Sequence, residues 1–155
     1  MANSILITTP RPGRLRWLLV CWLFVVSAIA YLDRVNISIA GQAIAHEFHF
    51  NNIQLGWVFS AFVLGYALFQ APAGRFADKV GARKVLGLAV LWWAVFTSAI
   101  TFLSPSMGAL IAVVIGIRFV LGIGEAVMYP ASNCIISAWV PSAERGIANG
   151  IILRA

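Results

Sequence analysis

Charge is what this sequence has least of: 10% of its 155 residues are charged, with 5 acids against 11 Lys and Arg. A water-soluble domain carries about 25% charged residues. With 61% hydrophobic residues and a mean hydropathy of +0.91, the chain cannot keep its apolar surface from water, so the membrane class follows. Cysteine is nearly missing too. Cys21 and Cys134 each stand alone in apolar sequence, which excludes a disulfide framework and a thiolate metal site. Both read as small apolar fillers. The two histidines, His46 and His49, lack the spacing of a helical zinc-protease motif. They read as solvated or interfacial, and no metal or cofactor is expected. The net charge of +6 comes without a basic face interleaved with aromatics, so no nucleic-acid partner is expected.

What the chain does have is four long apolar runs, at 17–40, 55–76, 85–103 and 109–139. Each is of the order of the ~20 residues that a helix needs to cross the bilayer's hydrocarbon. The fourth is long for one span, so its ends should project or tilt. Short polar connections, around 46–54, 78–84, 104–106 and 141–146, force consecutive helices to run antiparallel. Basic residues keep to alternate gaps. Arg11, Arg14 and Arg16 precede the first run, Arg75, Lys79, Arg83 and Lys84 cluster at the second connection, and Arg145 follows the fourth run. The connections after the first and third runs hold no Lys or Arg. By the positive-inside rule, the amino-terminal tail of residues 1–16 faces the cytoplasm and the chain is a multi-pass protein of the cell (inner) membrane, with the lipid bilayer as its partner. Trp17, Trp22, Trp57, Trp92, Trp93 and Trp139 read mostly as an interface belt flanking the spans. The basic start looks like a secretory signal peptide, but Asp33 and Arg34 within the run and three further spans point to a retained first helix. A fifth apolar run opens at about Ile147 and stops at Ala155. The chain therefore reads as a piece of a longer reading frame or as a truncated gene product.

Ionisable residues within a span are costly and mark substrate or proton paths. Asp33 and Arg34, in Tyr31-Leu32-Asp33-Arg34-Val35-Asn36, form one such group. Alternatively they lie near the outer interface, with Arg34 snorkelling to head groups. Neighbours on a helix point about 100° apart, so Arg34 needs a partner on another helix or on a ligand. Glu125 is the sole acid of the fourth run and falls near its middle. Arg118, two turns earlier, is roughly 10 Å away along the helix, too far for a tight pair. Glu125 is thus free to meet Arg34 across the bundle. A buried carboxyl caught between desolvation and a nearby cation can load and release a proton as its surroundings change, which a proton-coupled carrier requires. The rival reading of Glu125 is a purely structural salt bridge. Gly122 and Gly124 imitate part of a nucleotide-binding loop, but no strand precedes them. They read as small residues at a close helix crossing.

The basic stretch from Gly74 to Leu86 could serve as a positive-inside loop and nothing more. Yet Gly74, Asp78, Lys79, Gly81, Arg83 and Leu86 stand where the loop signature of the major facilitator superfamily has them, and the chain resembles that family. Ala82 departs from the signature, leaving Arg83 and Lys84 to supply its charge. Arg118, Gly122 and Gly124 are similar to the family's second signature. Glu125-Ala126 with Tyr129-Pro130, together with Asp33-Arg34-Val35-Asn36, resembles the anion:cation symporter branch, whose members carry sugar acids such as galactonate, glucarate and hexuronates, and other organic anions. The match runs from about Arg16 to Ile152.

The resemblance implies an all-α membrane protein, the amino-terminal part of a twelve-helix fold built from inverted three-helix repeats with substrate held at the midplane. Four helices and the start of a fifth would lie here, the carboxy-terminal half being a missing partner. It implies that Arg34 binds the substrate carboxylate, and that Tyr66, Gln70, Asn36, Tyr129 and Asn133 complete the substrate cavity. Asp33 and Glu125 become the proton-linked acids, and Gly74, Asp78, Lys79, Gly81 and Arg83 a conformational-switch loop. Without the resemblance, Tyr66 reads equally well as a buried aromatic with a satisfied hydroxyl. The implied function is secondary active, proton-coupled symport of an organic anion, with a sugar acid expected, which this piece alone would not perform. The rival is a non-transporting truncated membrane protein or scaffold. An embedded enzyme would need a nucleophile with its base or a metal triad, and the spans supply neither.

Overall fold

The computed structural model describes residues 14–154 apart from 105 and 107. Most of the expected tail, Arg11 included, and the terminal Ala155 lie outside the described residues. In hydrocarbon every backbone N–H and C=O must be satisfied within its own segment, which drives apolar runs into helices. α1 spans Arg14–Glu47, α2 Asn52–Val80, α3 Ala82–Thr101, α4 Leu110–Glu125, α5 Met128–Trp139 and α6 Arg145–Leu153, with a 3-10 turn at Ser142–Glu144 before α6. No strand occurs among the described residues. α1, α2, α3 and the stretch joining α4 to α5 are long and apolar enough to cross a membrane. The chain is a multi-pass, all-α membrane protein.

Three boundaries differ from the sequence expectation, each for a visible reason. α1 runs on through His46 and Glu47, and its 34 residues make about 51 Å of helix, so it projects or tilts. Asn51 then opens α2 with a capping box, accepting the Gln54 N–H at 2.8 Å while Gln54 Oε1 accepts the Asn51 N–H at 2.9 Å. The expected 78–84 connection shrinks to Gly81, whose φ is +100°. Its N–H bonds the Ala77 carbonyl at 3.0 Å, and its own carbonyl receives the Lys84 and Val85 N–H groups. Glycine tolerates this backbone, so Asp78 and Lys79 finish α2 while Arg83 and Lys84 open α3.

The fourth run is one span, as expected, with a local break at Ala126 and Val127 that divides it into α4 and α5, both residues still in right-handed helical backbone. Pro130 accounts for the break. It has no N–H to give the Ala126 carbonyl, and its ring crowds that group. The ladder therefore loses its bond at the Ala126 carbonyl, while the Ala126 and Ala131 N–H groups keep theirs to the Gly122 and Val127 carbonyls at 3.0 Å. Trp92 and Trp93 also depart from expectation, sitting mid-way along α3 rather than at its ends, with Trp93 buried.

α2 and α4 make the closest crossing. A Cβ at Gly65 would collide with the Phe119 carbonyl, and one at Gly122 with the Phe62 carbonyl. Paired glycines let two backbones touch in this way. Around the crossing, Leu23, Val26 and Ala30 of α1 pack with Leu121, Met128 and Ala131, and Ala148 and Ile152 of α6 join them. Ser27 Oγ ties α1 to α6 by donating to the Ile152 carbonyl at 3.0 Å. Leu18, Leu32, Leu64, Leu91 and Val95 stay on the outside.

Candidate substrate and ion site

The crossing of α2 and α4 carries Glu125 to α1, where Arg34 Nε donates to Glu125 Oε2 at 2.7 Å. The partners differ in access: the Glu125 side chain is 1% exposed and that of Arg34 30%. The structure thus joins the two opposite charges that the sequence set on separate spans. Tyr66 and Phe62 of α2 form a floor under the pair. The Arg34 guanidinium carbon lies 4.6 Å from the Tyr66 ring centre and 5.6 Å from that of Phe62, and the two rings stack at 6.4 Å. Gln70 Nε2 donates to Tyr66 Oη at 3.2 Å, so Gln70 reaches this group through Tyr66.

Other expected site residues fall elsewhere. Asp33 turns to α3, where Thr97 Oγ1 donates to its Oδ2 at 3.5 Å, a long contact. Asn36 lines the same α1–α3 cleft, with Trp93 and Ser98. These two are therefore not brought to the Arg34–Glu125 pair, because neighbours on a helix face different ways. On α5, Tyr129 packs against the main core and Asn133 is exposed.

Arg118 was given no role by the sequence beyond matching a signature. It is 4% exposed, with its guanidinium carbon 4.7 Å from the centre of the Phe62 ring and its Nε without a hydrogen-bond partner. An Arg in an apolar run was signal enough to find it. Phe62 gave no signal, since a Phe among apolar residues looks like filler.

The expected switch loop is a separate group. Cys134 Sγ on α5 donates to Asp78 Oδ1 at 3.0 Å, so Cys134 is a polar partner rather than the apolar filler its neighbours suggested. The Arg83 guanidinium carbon sits 4.8 Å from the Trp139 ring centre. Lys79 is exposed, and a Cβ on Gly74 would meet Pro130 at ordinary contact distance.

A buried, paired carboxylate beside a half-open arginine, over an aromatic floor, can exchange one anionic partner for another. The family model described as Major Facilitator Superfamily matches residues 23–153. The chain belongs to that superfamily. It is 36% identical over 137 residues to the probable galactarate/D-glucarate transporter of Bacillus subtilis, covering 86% of this chain and 30% of the relative. With the D-galactonate transporter of Escherichia coli O6:H1 the identity is 36% over 147 residues, or 95% of this chain and 33% of the relative. The probable sulfoacetate transporter of Cupriavidus necator is 46% identical over 123 residues, 79% of this chain and 27% of that one. The chain thus spans about three-tenths of the length of the curated relatives it matches.

Proposed function

We propose that the protein to which this chain contributes is a secondary active transporter that moves an organic anion of the sugar-acid class across the cell membrane together with protons. The observation that carries the reading is the Arg34–Glu125 pair, 2.7 Å long and set between spans. Its similarity to relatives named as transporters of galactarate, D-glucarate and D-galactonate supports the substrate class. An arriving carboxylate competes with Glu125 for Arg34, whose planar fork suits a bidentate carboxylate. Glu125, stripped of its cation in so dry a place, is stabilised by taking a proton. Anion and proton then bind together, and by reciprocity each tightens the other. Asp33, against Thr97 on another face of α1, carries a second proton. Tyr66 and Gln70 line the anion's side of the pair, with Tyr129 and Asn133 of α5 extending the cavity, whereas Asn36 stays with Asp33 in the α1–α3 cleft.

The test is uptake of labelled galactarate by the full-length protein in liposomes, with an imposed proton gradient. Accumulation by the parent, together with a Glu125→Gln variant that still exchanges substrate but no longer accumulates it, supports the mechanism. A Glu125→Gln variant that accumulates as well as the parent removes Glu125 as the coupling acid. Accumulation that follows an imposed sodium gradient, and ignores protons, overturns the choice of ion.

A further inference from the structure

Arg118 is the hardest charge in the site to account for. It is 4% exposed, and neither ion pair among the described residues includes it. Glu125 is committed to Arg34, and Asp33 takes its contact from Thr97 of α3. A buried cation without a partner is costly. The ring in contact with it is Phe62, at 4.7 Å from guanidinium carbon to ring centre, and the negative face of an aromatic ring attracts such a cation. The same ring lies 5.6 Å from the Arg34 guanidinium carbon. One side chain of α2 thus touches a cation from α1 and another from α4. Its base is fixed as well, because the Phe62 carbonyl abuts Gly122, one turn beyond Arg118.

We infer that Phe62 is a positioning residue for both arginines: its ring face stands in for the carboxylate that Arg118 lacks and so leaves Glu125 to Arg34. Without that face, Arg118 draws on Glu125, and the exchange of Glu125 for a substrate carboxylate at Arg34 is disturbed. The effect on anion binding rests on the transport reading, whereas the ring's hold on the two cations does not.

The test replaces Phe62 in the full-length protein, held in lipid nanodiscs, by phenylalanines bearing one, two and three fluorines. Fluorination withdraws the ring's negative face in steps while nearly keeping its shape, so a space-filling role would not register. Phe62→Leu and Phe62→Trp flank the series. Thermal unfolding without ligand should fall stepwise with fluorine number, and the steps should vanish in an Arg118→Met background. Galactarate binding should weaken about threefold to tenfold across the series, and Phe62→Trp should keep near-parental affinity. A flat unfolding series, with Phe62→Leu as stable as the parent, overturns the inference. If unfolding responds in steps while even the parent fails to bind galactarate, the ring's role stands and the substrate reading fails.

Discussion

Arg34 and Glu125 were legible in the sequence because a charge in an apolar run stands out against its neighbours, and burial without a partner would be too costly to keep. Phe62 and Cys134 were not legible, since a ring or a thiol among apolar residues has no contrast. What each touches depends on the angle at which helices cross, which spacing along one helix does not encode. The exposed end of the pair is the arginine, at 30% against 1% for Glu125, so under the transport reading an incoming anion would meet Arg34 first. Arg34→Ala should abolish galactarate binding in the full-length protein and leave Glu125 buried without its cation. Arg34→Lys keeps the charge but not the planar fork, and should bind with an affinity lower by roughly tenfold or more, at about 1.4 kcal/mol per tenfold. Titration calorimetry on purified protein checks both, and parental affinity in Arg34→Ala would place the anion elsewhere.

At the level of helices, apolar length predicted that four spans exist but not where they stop. α1 outlasts its apolar run because nothing before His49, with φ of +56°, breaks the backbone. α2 and α3 absorb a basic stretch that looked like a loop because a single glycine reverses the chain. The α2–α4 crossing is the element on which the site depends, and it rests on two glycines. Gly122→Val forces a side chain against the Phe62 carbonyl, and overpacking of this kind costs about 1–3 kcal/mol. Its expected signature is a lower unfolding temperature in detergent together with weakened galactarate binding, since Phe62 moves with its carbonyl. By the positive-inside rule, the basic residues at the α2–α3 turn and the absence of Lys or Arg between α1 and α2 predict that the α2–α3 turn lies inside and the α1–α2 connection outside. Single cysteines at Asn51 and Lys79, with Cys21 and Cys134 replaced, should react differently with an impermeant thiol reagent added to intact cells. Labelling is expected at position 51 and protection at position 79, and the opposite pattern would invert the topology.

For the whole molecule, the α2–α3 turn and the Arg34–Glu125 site are distinct groups, with no hydrogen bond or ion pair joining them among the described residues. The turn is instead fastened to the end of the α4–α5 span, through Asp78 with Cys134 and Arg83 with Trp139. Nearby, Arg16 at the start of α1 pairs with Glu144 at 3.0 Å. Under the transport reading, contacts of this kind, partly exposed and modest in energy, suit a surface that would part and re-form as the carrier alternates. A thiol is only a weak donor, so the Asp78–Cys134 contact can break without much resistance. What Asp78 adds beyond this is charge, among Arg75, Lys79, Arg83 and Lys84. Asp78→Asn separates the two contributions, because the amide keeps a carbonyl oxygen for the thiol and loses only the charge. Under the transport reading, Asp78→Asn in the full-length protein should slow galactarate uptake while equilibrium affinity stays within a few-fold of the parent. On that reading the Asp78 charge, set among basic side chains, weights one conformation against the other, and its loss slows their exchange without altering a binding site elsewhere. Initial uptake rates in liposomes, set beside calorimetric affinity in detergent, give the two readings. A well-folded Asp78→Asn variant that no longer binds galactarate would make the turn part of the binding site and not of the switch.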